Sequence, residues 1–338
     1  MSIRLKSILA SIFVFIVVTL IVFYVVTPLR KSLMEDLVIE STNSLVHKQL
    51  DSIKSLINLR YEYIASRAAI MTTIPDFIKS NEVYDNYTNE EVSQRLSEGD
   101  LLWQNNDEKF INSILNNELS QKMYTDFRSS NYYKNTYGYE VFPEFFVTNK
   151  YGALVASTNK TTDFNQSDEK WWQITKEKGS YIEGITYDES SRTFSMMLNV
   201  AITDSSGNFL GVAKAVLDSR DILQTTLNYE LNPDTYKEKD VLLLTGDLKP
   251  IFPLDANIDP LVTSFISEYG TQMLEDNNKI SIKHHCFSNN GLSCLFNYAS
   301  IKDFHGLTLI LVTSHSEVLI NELMDRSILL TLSVTALS

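Results

Sequence analysis

Val141-Phe142-Pro143-Glu144-Phe145-Phe146-Val147-Thr148, followed by Asn149-Lys150-Tyr151-Gly152 and Ala153-Leu154-Val155-Ala156-Ser157, is the stretch on which the fold turns. Val and Phe crowd its first part, and both suit a pleated, half-buried surface. Asn149 to Gly152 has the make-up of a β-turn with glycine at its last position. Strands are therefore expected at Val141–Thr148 and Ala153–Ser157, paired across that turn. Downstream, Ser167 stands as a cap for a helix over Asp168–Lys178, which Gly179 ends. Strands follow at Tyr181–Tyr187, Thr193–Thr203 and Phe209–Leu217, joined by polar turns, and Asp218 caps a helix to about Asn228. A strand pair, a helix and three antiparallel strands make one α+β unit.

The same order recurs after the polar linker Asn232–Glu238. Val241–Leu244 and Ile251–Phe252 flank the turn Gly246-Asp247. Ile258–Leu274 is helical, Lys279–Phe287, Leu292–Tyr298 and Leu307–Thr313 are strands, and Ser314 onward is helical. The residues do not repeat, so the duplication is one of architecture. Upstream, Lys31 to Thr73 holds no proline or glycine, and Leu33, Leu37, Leu45, Ile53, Leu56, Ile57, Tyr61, Ile64 and Ile70 recur near the helical period. One long helix is expected there, with a bend at Pro28. Shorter helices are expected at Asn89–Leu102, where Thr88 and Glu91 form a capping box, and at Asp107–Arg128.

Ile8–Val26 carries no charge and no proline, and a second apolar run starts at Ile328. As a helix the first run spans roughly 28 Å, the thickness of a bilayer's hydrocarbon core. It is too long for the core of a signal peptide, and no Ala-x-Ala pattern follows it. Charge on either side of the run decides little, since Arg4 and Lys6 precede it and Arg30 and Lys31 follow. The chain has two cysteines, Cys286 and Cys294, on either side of the hairpin signal Asn290-Gly291. A turn there brings the sulfurs within reach, and a disulfide would put the segment outside the cytoplasm; two reduced, buried thiols are the alternative. His284, His285 and Cys286 are consecutive and alternate faces of a strand, so they do not ligate one metal. A net charge of −13 over 338 residues argues against nucleic acid. No metal or organic cofactor is expected.

In this order and at these intervals, the stretches Phe146–Thr158, Thr162–Trp172 and Asp204–Val212 resemble the double Cache sensor regions of bacterial transmembrane receptors. The resemblance implies an α+β fold: a long N-terminal helix with two stacked PAS-like Cache subdomains, flanked by transmembrane helices. On that reading residues 1–7 are cytoplasmic, 8–28 form a transmembrane helix, 29–80 a stalk helix, 81–230 the membrane-distal subdomain and 231–316 the membrane-proximal one, and 317–338 begin a second transmembrane helix. It implies a periplasmic or extracellular main domain held at the inner (plasma) membrane, binding a small molecule in the distal subdomain. The upper part of the long helix's apolar stripe could pair with a second copy, so a homodimer through that helix is expected. The resemblance also implies an output module beyond the chain, of histidine kinase, diguanylate cyclase or chemoreceptor type.

A ligand pocket needs aromatic walls and a few converging polar groups. Trp171 and Trp172 lie about 100° apart on the expected helix, so that one lines a pocket while the other packs the core, unless both pack it. Tyr181, Tyr187 and Asp188 follow. Asp188 could meet a ligand amine or simply close its own turn. Asp163 could serve the pocket or brace its loop, and Asp218 the pocket or its helix. Arg192 and Lys214 are the cations available to an acidic ligand. Amino-acid-binding members of the family carry an arginine two residues before the first helix aromatic, where this chain has Glu169. An amine or uncharged ligand is therefore expected rather than an α-amino acid. A membrane-anchored hydrolase is a rival reading, but no Gly-x-Ser-x-Gly or His-Glu-x-x-His occurs. A ligand-free structural ectodomain is another.

Overall fold

The computed structural model describes residues 3–21, 24–25, 27–128, 132–188, 193–222, 239–252, 260–275, 280–284 and 294–316. Helix α1 is Ile3–Ile21 and α2 is Thr27–Met71, 45 residues long. With no glycine or proline after Pro28, nothing interrupts its ladder for roughly 68 Å. Its buried stripe is Val46, Leu50, Ile53, Ile57, Ile64, Ala68 and Met71, steps of three, four or seven. Leu33, Leu37 and Leu45, nearer its start, are exposed. Among the described residues no helix is long and apolar enough to cross a membrane. The run expected to do so, Ile8–Val26, is described as α-helix only to Ile21. The second run lies outside the described residues.

Helices α3 (Pro75–Asp85), α4 (Asn89–Gln104), α5 (Glu108–Leu115), α6 (Glu118–Arg128) and α7 (Tyr132–Tyr137) follow. Thr88 and Glu91 form the expected capping box on α4. The single helix expected at Asp107–Arg128 is two. Asn117 breaks it, accepting from the Ser120 N–H and donating to the Val155 carbonyl, so one side chain starts α6 and ties it to the sheet.

The first sheet holds β1 (Glu144–Asn149), β2 (Leu154–Ser157), β3 (Ser180–Asp188), β4 (Thr193–Thr203) and β5 (Phe209–Asp218), ordered β2-β1-β5-β4-β3. Helix α8 (Lys170–Lys178) enters between β2 and β3. The second sheet holds β6 (Lys239–Thr245), β7 (Pro250–Phe252), β8 (Ile280–His284), β9 (Cys294–Phe304) and β10 (Leu307–Ser316), ordered β7-β6-β10-β9-β8, with α9 (Pro260–Glu275) between β7 and β8. The duplication read from the pattern is thus a duplication of sheet topology. Strand β10 runs to Ser316, through positions expected to start a helix, because Ser314, His315 and Ser316 keep pairing with β9.

One face of each sheet packs on α2. Phe145, Val147, Leu198, Ala213 and Ala215 of the first sheet and Leu243, Leu309 and Leu311 of the second share a single core with the α2 stripe. The opposite faces are separate. Phe146, Leu154 and Val212 meet α4, α5 and α8. Leu242, Leu244, Phe296, Tyr298, Ile310 and Val312 meet Phe265 and Met273 of α9.

Candidate functional site

Gly152 fixes the start of the site. Its φ of 92° lies where side chains are disfavoured, and a Cβ there would collide with Ser167. The Gln166 N–H donates to its carbonyl, so the turn after β1 holds down the loop that leads into α8. Helix α4 clamps the same loop. Asp100 accepts from the Phe164 and Asn165 amides, and Trp103 Nε1 donates to the Thr161 carbonyl at 2.8 Å. Burial raises the Asp100 carboxyl, and the two amides partly offset this. Ser167 does not cap α8; it bonds to Asn165 Oδ1. The N-cap is Glu169, whose carboxylate makes no capping bond. Gly179, at φ 83°, ends the helix as expected.

The two tryptophans, both buried, make different contacts. Trp172 Nε1 donates to Thr148 Oγ1 at 2.9 Å, and its ring meets Phe209 edge-on. Trp171 meets Phe146 edge-on, and Lys214 Nζ of β5 lies 4.3 Å from its ring centre. Register places Lys214 opposite Phe146 on one side and Asn199 on the other, with Tyr181 beyond Asn199. The next row on the same face carries Glu144, Val216, Met197 and Glu183. Glu144 and Asn199 are buried. Asn199 Nδ2 donates to the Tyr181 carbonyl at 3.0 Å, which fixes the amide, and its Oδ1 has no partner among the described residues. A buried acceptor in that state is costly until a donor meets it. Burial raises the Glu169 carboxyl; Lys214 lowers it, while Asp168, Asp163 and Glu183 add to the rise. One ammonium, several carboxylates, an open amide oxygen and two aromatic rings thus meet where α8 covers the sheet.

Of the residues singled out in the sequence, Trp171, Tyr181 and Lys214 belong to this group, and Asp163 is close enough to act on Glu169. Tyr187 and Asp188 sit opposite Phe194 and Thr193 at the far end of β3. The six steps from Tyr181 to Tyr187 carry them roughly 20 Å along the strand. Asp218 is buried and committed: it accepts from the Arg220 amide, as the expected cap, and pairs with the Arg220 guanidinium at 2.6 Å. Arg192 and Cys286 lie outside the described residues, and with Cys286 the expected bridge to Cys294. Register pairs Cys294 with His284. Sequence reading missed Glu144, Asn199 and Glu183. Asn199 had a signal, a lone amide within Met196-Met197-Leu198-Asn199-Val200.

No family model matches the chain, and no curated protein does. Solved structures do. The ligand-binding domain of the Campylobacter jejuni chemoreceptor Tlp3 with L-valine superposes with a TM-score of 0.51 at 14% identity, covering 87% of this chain and 98% of that one. The Tlp3 sensory domain with isoleucine bound gives the same values. The ligand-binding domain of the Pseudomonas aeruginosa amino acid chemoreceptor PctB with L-Arg has a TM-score of 0.47 at 11% identity, covering 83% and 96%. The chain therefore has the fold of a chemoreceptor sensory domain, as the double Cache resemblance implied. The preference for an amine or uncharged ligand over an α-amino acid does not stand, because the Tlp3 domains of this fold hold L-valine and isoleucine. That preference weighed Glu169 above Lys214, which reaches the same face from β5 and lies over the Trp171 ring.

Proposed function

We propose that this chain is the extracytoplasmic sensing region of a membrane-bound signalling receptor, and that its ligand is a zwitterion of the α-amino-acid class held between α8 and the first sheet. The observation that carries this reading is the row Phe146, Lys214, Asn199 and Tyr181, with Glu144 one step along. Lys214 offers a partner for a carboxylate, Asn199 Oδ1 and the Glu144 and Glu169 carboxylates offer partners for an ammonium, and Trp171 supplies a wall. Diagonal neighbours such as Lys214 and Glu144 stand somewhat under about 7–8 Å apart at Cβ, a gap that both ends of one small zwitterion can bridge. Residues 8–28 and the run from Ile328 serve in this reading as the membrane anchors, with the distal subdomain over 81–230 and the proximal one over 231–316. Cys286 and Cys294 form a disulfide in it, which intact mass before and after reduction would check.

The deciding experiment is a thermal-shift screen of the detergent-solubilised chain against the common L-amino acids and their decarboxylated amines. Stabilisation by at least one amino acid, absent with its amine and absent in Lys214→Met, is expected. A shift that survives in Lys214→Met would move the site elsewhere, and the lack of any shift across the panel would remove the ligand class.

A further inference from the structure

His305 sits in the β9–β10 turn at a φ of 51°, between Asp303 at 49° and Gly306 at 87°. Non-glycine residues adopt this region where contacts over-determine the backbone, and here the contacts come from the other sheet and from α2. The His305 carbonyl accepts from the Ile182 N–H of β3 at 2.8 Å. Its Nδ1 lies 2.7 Å from Ser180 Oγ. Its ring stacks on Tyr61 of α2 at 4.4 Å and 23°, and Phe304 meets it edge-on at 4.8 Å. Gly306 fits so closely that a Cβ there would touch the Tyr181 ring at 2.9 Å. The ionisable groups around the turn are Lys54, Tyr61 and Glu62 on α2, Tyr181 on β3, and Lys302 and Asp303 on β9.

We propose that this turn is a proton-sensitive latch between the two sheets, seated on β3 and α2 while His305 is neutral and released when His305 is protonated. Burial holds the imidazole below its ordinary value of 6.5, with Glu62 partly offsetting this. A base with a depressed folded pKa takes up its proton more readily once freed. The latch is therefore at full strength above about pH 6.5 and weakens as pH falls below that, tenfold for each unit of depression. Tyr181 touches Gly306 and also stands beside Asn199. Control of ligand affinity through Tyr181 rests on the ligand reading above; the latch itself does not.

Hydrogen exchange on the full chain tests it. After correction for intrinsic rates, peptides covering 180–183 and 303–307 are expected to lose protection between about pH 7.5 and pH 5, while β1 and β5 keep theirs. His305→Phe keeps the stacked ring without a titrating nitrogen and is expected to abolish that pH dependence. Equal protection at both pH values, or a wild-type response in His305→Phe, overturns the latch. Should that variant misfold, an NMR titration of wild-type His305 decides, and a pKa at or above the ordinary value overturns it. Amino-acid thermal shifts on the same samples separate the two ideas: a working latch without any shift defeats only the ligand reading, and a shift without pH-dependent release defeats only the latch.

Discussion

Set the two sheets side by side. Both run in the order of a returning hairpin, a central last strand and two more, and both bury one face on α2. They part on the other face. The first sheet's row reads Phe146, Lys214, Asn199, and the second sheet's row reads Leu242, Val312, Tyr298. Beneath α9 the space is closed by apolar contact: Phe265 stacks on Phe296 at 4.2 Å and 9°, and Ile310 and Met273 are fully buried. Beneath α8 the same kind of space holds an ammonium and an amide oxygen with no partner among the described residues. One topology thus carries an apolar, filled face in one copy and, in the reading proposed above, a receptor face in the other. A few side chains make the difference, while the backbone plan is shared.

Val312→Lys would break the comparison most violently. It sets the first sheet's lysine into a face that offers no charge partner among Leu242, Tyr298 and Phe265. Full burial shifts a lysine by up to about 5 units, and even 3 units is about 4 kcal/mol, a large part of a domain's stability. A collapse of the calorimetric transition of the second sheet is expected. A stable Val312→Lys would mean that α9 does not close this face.

The tryptophans come next. Trp172→Ala removes a buried indole and orphans Thr148 Oγ1 of one bond, at about 3–5 kcal/mol. Trp171→Ala spares that bond and is expected to act first on ligand affinity. Denaturant midpoints of the two variants check this, and equal losses would show that α8 packs both rings alike. Below these in effect is Lys214→Val, which gives the first row the valine of the second. Losing a desolvated charge partner is worth about 2–5 kcal/mol of binding, or at least a 30-fold weaker amino acid by calorimetry. Unfolding stability should fall less than in Trp172→Ala, because the change removes the lysine's contacts with Trp171 and Glu169 but no buried ring.

These differences explain what could be read in the chain beforehand. Strands, their order and the long helix follow from local pattern: alternation, turn residues, and α2's freedom from breakers. The site does not, because Lys214, Asn199 and Tyr181 are brought together by register across three strands, and register is a property of the assembled sheet. Asp188 was attractive as a carboxylate at the start of a loop, able to meet a ligand amine, but the direction of β3 carries it away from Tyr181. Trp172 and Trp171 were indistinguishable until Thr148 supplied a hydrogen-bond partner for one of them. Asn117 could have been found, since asparagine is a helix-capping residue even when the flanking pattern looks continuous.

The mildest test concerns α4, which has no counterpart around the second sheet among the described residues. Thr88→Ala deletes the half of the capping box that accepts from the Glu91 amide, and Glu91 loses its reciprocal role. A loss of about 1 kcal/mol is expected, seen as a lower urea midpoint with an unchanged slope. Asp100 and Trp103 sit on the same helix and clamp the loop that delivers Glu169 and Trp171. If α4 only braces the fold, ligand affinity will be unchanged within error. If affinity also falls, the receptor face depends on a helix that the spacer copy does without, and the contrast between the sheets extends beyond the residues that line them.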